Sequence, residues 1–139
     1  MKRGEVWWVR LEEEQPVVLL SGGEEAELRA MRIVPPATAD EKRGFVVLSG
    51  EEACDIRERN RIVAAASGAF SGVGVEVQIG APEGLPSAGV VRVALPRDDR
   101  IFCTWLLALT PDCLLRRMGA LSSEKLHQLD KALRLAAIE

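Results

Sequence analysis

The chain opens with short apolar runs rather than long amphipathic stripes. Gly4 to Leu11 (GEVWWVRL) and Pro16 to Leu20 (PVVLL) are rich in β-branched, aliphatic and aromatic residues, which suit a pleated, packed surface. Only Glu12 to Gln15 separate them, so the pair is expected to form an antiparallel hairpin. The unbroken apolar run at 16–20 predicts a strand buried on both faces. Leu28 to Val34 (LRAMRIV) then alternates apolar and basic positions with period two. Pro35-Pro36 ends it, because proline cannot donate to a ladder. Phe45 to Leu48 (FVVL), Val73 to Ile79 (VGVEVQI), Gly89 to Leu95 (GVVRVAL) and Ile101 to Leu109 (IFCTWLLAL) continue the series of strands.

Helical signals interrupt and close this series. Ser49-Gly50-Glu51-Glu52 has the S-x-x-E form of a capping box. Ala53, Ile56, Val63 and Ala64 follow at helical spacing, which predicts a helix over 51–66. Thr110-Pro111-Asp112 starts a short helix or a tight turn that leads to Arg116 and Gly119. Near the C-terminus Ser122 is a good N-cap, with Leu121 and Leu126 placed for a hydrophobic staple. Leu126, Leu129, Leu133 and Ala136 form one stripe against Lys125, Gln128, Lys131 and Arg134. His127 falls beside that stripe, toward its polar side. Strands followed by a closing helix are the α+β pattern, and no repeat or linker divides the chain, so a single domain over 1–139 is expected.

Composition narrows the function. A length of 139 residues with 47% hydrophobic and 28% charged residues can bury a core without metals or disulfides. Apolar stretches such as Trp105 to Leu109 are far short of the ~20 residues a membrane helix needs, and the N-terminus lacks a signal-peptide core. A cytoplasmic protein is expected. Cys54, Cys103 and Cys113 form no CxxC pair and His127 is the single histidine, so no zinc cluster is expected. The net charge of −3 argues against a broad basic surface but leaves room for a local patch.

The candidate chemistry is correspondingly sparse. No G-x-G-x-x-G, Walker A or G-x-S-x-G pattern occurs. What remains is a set of arginines near strand ends, Arg10, Arg32, Arg97 and Arg100, and a hydroxyl, Thr38, just past the diproline. Arginines beside a hydroxyl can bind a phosphodiester and stabilise charge that develops as it is cleaved. Trp105 can stack on a base.

Taken in order, four stretches resemble the MazF/PemK family of small toxins. Lys2 to Leu11 (KRGEVWWVRL) with PVVLLS at 16–21 resembles the family opening. Ile33 to Thr38 (IVPPAT) resembles the strand end carrying its P-x-T motif. Val75 to Val91 resembles a strand that passes through a Gly-Leu-Pro turn into the next. Leu114 to Leu133 (LLRRMGALSSEKLHQLDKAL) resembles the G-x-L-S-x-x-x-L helix start. The resemblance implies an SH3-like barrel with a C-terminal helix and an insertion at about 39–72. It implies a metal-independent, sequence-specific endoribonuclease that cuts single-stranded RNA, forms a homodimer and is neutralised by a cognate antitoxin. No cofactor is implied. Thr38 matches the family threonine. Where the family has Arg-Pro this chain has Gln15-Pro16, so the catalytic cation is expected to pass to Arg10, with Gln15, Arg100 and Trp105 as RNA contacts. The alternative is a member of the same fold that binds RNA or a protein target without cleaving.

Overall fold

The computed structural model of the chain describes residues 2–21, 27–66, 72–95 and 106–136. β1 (Glu5–Arg10) and β2 (Glu14–Leu19) form the expected hairpin, with Val6 opposite Val18 and Trp8 opposite Pro16. β3 (Leu28–Arg32) pairs with β2, β7 (Leu106–Leu109) with β3, and β8 (Leu114–Ala120) with the free edge of β1. The resulting antiparallel sheet has the order β7-β3-β2-β1-β8. A second sheet has the order β4-β5-β6, from β4 (Phe45–Ser49), β5 (Gly72–Ile79) and β6 (Gly89–Ala94). β4 runs parallel to β5, and the helices α2 (Gly50–Cys54) and α3 (Ile56–Ala65) lie on the connection between them.

Both faces of β2 are buried, as its unbroken apolar run predicts. Val17 and Leu19 pack with Val9, Leu28, Ala30 and Leu109 on one side. On the other, Val18 and Leu20 join the main core with Val75, Val77, Val91 and Val93. The C-terminal helix α4 (Ser123–Leu135) seals that core with Leu129 and Leu133, and Ser122 caps it by accepting from the Lys125 amide. The fold is α+β as expected, with its barrel drawn as two open sheets. Among the described residues, β7 and β8 are joined by a 3-10 turn at Pro111–Cys113 rather than by a ladder.

The expected helix over 51–66 is two helices. Asp55 ends α2 in an extended conformation and starts α3, its carboxylate accepting from the Arg57 and Glu58 amides. A short acceptor that satisfies two amides locally competes with helix continuation. The segment 114–120, read as the sequel to a short helix, is strand β8. Register shifts against β1 between Val6 and Trp7 and between Trp8 and Val9 break the period-two pattern that would have marked it. Gln128, assigned to the polar side of α4, is buried against Gly50, while His127 is exposed as expected. Of the strand expected at 101–109, the part before Leu106 lies outside the described residues.

Candidate nucleic-acid interface

The diproline segment leaves β3 and crosses to the second sheet. The Ile33 amide donates to the Pro16 carbonyl, and Val34 and Val90 exchange backbone hydrogen bonds of 2.9 and 2.7 Å. Trp8, Pro16, Val34, Pro35, Leu85 and Gly89 thereby line a groove of about 250 Å³ between the two sheets. Its walls are mainly apolar, suited to flat faces and backbone rather than to a charged small molecule.

Thr38 stands at the end of this segment, exposed, as the N-cap of the short helix α1 (Ala39–Lys42). Its Oγ1 accepts from the Glu41 amide at 3.2 Å and its own amide donates to Glu41 Oε1 at 3.0 Å, a complete capping box. The hydroxyl carries one proton, which in the resting chain is directed to the Glu41 carboxylate and would have to be turned to a ligand oxygen to be donated there.

Beneath Thr38 lies a buried ion pair. Glu76 on β5 and Arg92 on β6 are direct cross-strand partners, with side chains only 8% and 10% exposed. Glu76 Oε2 accepts from Arg92 Nε at 3.1 Å and from the Ala37 amide at 3.0 Å. Arg92 Nη2 donates to the Pro35 carbonyl at 3.1 Å. The charge of Arg92 reaches α1 as well, and adds to the bonds that keep Glu41 ionised.

Two solved structures share this architecture end to end. One is the Mycobacterium tuberculosis toxin MazF-mt6, matched over 96% of this chain and 96% of its own, with a TM-score of 0.56 at 14% identity. The other is an endoribonuclease in complex with its cognate antitoxin from Mycobacterial species, matched over 99% of this chain and 92% of its own, with a TM-score of 0.53 at 15% identity. The chain has the MazF fold. No family model and no curated protein matches its sequence.

On this MazF fold the residues singled out from sequence separate into four groups. Thr38 stands three residues beyond Pro35 on the groove wall, and its chain neighbour Ala37 is bonded to the carboxylate that holds Arg92. Arg10 sits at the turn end of the β1–β2 hairpin, exposed and bonded to Glu14 Oε1 at 2.9 Å. Among the described residues no hydrogen bond or ion pair joins Arg10 to the Thr38 segment. The same Glu14 is kept ionised first by Arg10 and next by Trp8, so part of the positive charge there is already cancelled. Gln15 is half-buried and its Oε1 is enclosed without a hydrogen-bond partner, so that atom faces the protein and not a groove. Arg100 and Trp105 lie outside the described residues.

Arg92 was missed. The signal available was a lone arginine in the apolar strand GVVRVAL, opposite a lone glutamate in VGVEVQI. Either could be a solvated outward position, and only the fold lays Pro35–Thr38 across both. A larger cleft of about 480 Å³ lies between α2, the Gly84 turn and α4, edged by Glu51, Glu83, Glu124 and Lys125. It does not include Thr38. No group of three or more metal-binding side chains occurs among the described residues, and no helix there is long and apolar enough to cross a membrane.

Proposed function

We propose that this chain is the toxin of a toxin–antitoxin module and an endoribonuclease that cleaves single-stranded RNA at a preferred sequence without a metal ion. The observation that carries the reading is the whole-length likeness to MazF-mt6 and to an endoribonuclease bound to its antitoxin. The anchorage of the segment that carries Thr38 to the Glu76–Arg92 pair supports it.

In the proposed reaction the RNA 2′-oxygen attacks the neighbouring phosphorus. The P–O2′ bond forms, the P–O5′ bond breaks, the 2′-proton leaves and the departing 5′-oxygen gains one. The products are a 2′,3′-cyclic phosphate and a 5′-hydroxyl. Thr38 donates to a non-bridging phosphate oxygen. Arg92 balances the charge that grows on the phosphorane, where a preorganised cation counts most. Arg10 stabilises the same charge from the hairpin side, and Arg100, Trp105 and the amide nitrogen of Gln15, whose oxygen is enclosed, extend the RNA path. The working unit is a cytoplasmic homodimer of single-domain chains, with residues 39–72 as an insertion, and a cognate antitoxin blocks the RNA groove.

A second reading has its own support, because both arginines described near the groove are paired with carboxylates. On that reading, for which the pairing of Arg10 and Arg92 counts and Arg116 opposite Trp8, unpaired among the described residues, does not, the fold binds RNA or a protein without cutting. The purified chain, incubated with a long single-stranded RNA in EDTA, separates the two. Discrete cuts ending in 2′,3′-cyclic phosphate, lowered at least about 10²-fold by Thr38→Ala, are expected. Intact RNA would reject the ribonuclease reading in favour of the binder.

A further inference from the structure

We propose that Glu76 is the positioning residue of this site. A single carboxylate oxygen fixes both the Thr38 segment and the Arg92 guanidinium in one geometry. The inference rests on the ribonuclease reading for its consequence, but not for its structural content.

The two bonds converge on one atom. Glu76 Oε2 accepts the Ala37 amide at 3.0 Å and Arg92 Nε at 3.1 Å. The amide belongs to the residue immediately before Thr38, so its anchorage sets where the Thr38 hydroxyl starts. The Nε bond sets the plane of the guanidinium, and Arg92 Nη2 closes the loop on the Pro35 carbonyl. Two segments far apart in sequence, 35–38 and 92, are thus referenced to one group on the central strand of the second sheet. Because Glu76 is 7% exposed and Ala37 8%, water does not readily replace these bonds. One Glu76 oxygen is committed to the Ala37 amide and to Arg92, so its part is to hold other groups rather than to bind RNA. A shift of about 1 Å in a reacting group can cost about 10²-fold in rate, which is the scale expected here.

Glu76→Gln keeps the shape and one acceptor oxygen but removes the charge that holds Arg92, so it is the first variant. Glu76→Asp keeps the charge and shortens the reach to Ala37. In RNA cleavage both are expected to lower kcat about 10- to 100-fold, with KM changed less than about threefold. By NMR, the Ala37 amide and the Arg92 Nε proton are expected to lose their protection from exchange, Arg92 more in Glu76→Gln and Ala37 more in Glu76→Asp. Wild-type kcat in both variants, or a fall in melting temperature with kcat unchanged, would overturn the proposal. If the wild-type chain cuts no RNA, the ribonuclease reading fails and the exchange data alone decide the clamp. Protection unchanged in both variants would then sink it, and the split loss would sustain it.

Discussion

Thr38 and Glu41 are bound to each other twice, and this makes the placement of the threonine sensitive to acid. The Glu41 carboxyl is held below the ordinary carboxylate range by the Thr38 amide first and its hydroxyl next, with the charge of Arg92 adding to both. A carboxyl whose folded pKa is depressed contributes in full above its unfolded value. That contribution is lost as pH falls through the folded value. The α1 cap is therefore expected to stay closed at neutral pH and to open only below the usual carboxylate range. An NMR titration of the Glu41 carboxyl and the Thr38 amide should show both moving together at that acidic point. Independent midpoints, or a Glu41 that titrates at the ordinary value, would break the link. Glu14 offers the converse case at the hairpin. Its bond to Arg10 is an exposed, solvent-screened pair of the kind that adds little to stability. Removing it by Glu14→Gln should free Arg10 and tighten RNA binding at low salt by about two- to fivefold. An unchanged affinity would mean Arg10 does not meet RNA.

Among the elements, the Gly84 turn and β8 are held by an unusually close backbone contact. Gly84 has φ +93, and a Cβ built there would meet the Met118 carbonyl oxygen at 2.1 Å. A Cβ on Gly119 would meet the Glu83 carbonyl oxygen at 2.3 Å. Neither neighbour is a flexible side-chain tip, so the backbone itself must move. Gly119→Ala should therefore destabilise by about 1–3 kcal/mol through overpacking, and Gly84→Ala by more, since it adds strain at positive φ. Urea unfolding measures both, and a midpoint unmoved in either variant would mean the turn does not lie on β8. These glycines also show what the sequence could carry. The Gly-Leu-Pro turn and the glycine after Met118 were visible as motifs, but their contact is between distant segments and has no local signature. The hairpin, β3 to β6 and α4 were legible because period and caps act within a few residues. Two bulges hid β8 by shifting its phase, and Asp55 divided a helix whose apolar spacing runs across the break. At the candidate site Thr38 stands out in the sequence by its P-x-T resemblance. Arg92 and Glu76 do not, because alternation gives the face a residue points to and not what later covers that face.

For the whole molecule, charge limits how RNA can be held. The chain carries 18 basic and 21 acidic residues, so nothing like a continuous basic track is available, and the described cations near the groove are few. Arg92 and Arg10 are each paired with a carboxylate. Arg116 lies in register opposite Trp8, a groove residue, and its guanidinium makes no ion pair or hydrogen bond among the described residues. Each phosphate neutralised on a single strand contributes about −0.7 to the slope of log affinity against log salt. Two or three contacts therefore predict a slope of about −1.4 to −2.1. The apolar groove walls would supply the remainder, and that part is insensitive to salt. An RNA made uncleavable by a 2′-deoxy sugar at the cut site allows the slope to be read by fluorescence anisotropy. Arg116→Ala should flatten it by about 0.7 while leaving the order of preferred sequences intact, because a phosphate contact positions RNA without reading its bases. A wild-type slope steeper than about −4 would require six or so phosphate contacts. The RNA would then have to run along a surface other than this groove, and Thr38 with Arg92 would not be where it is cut.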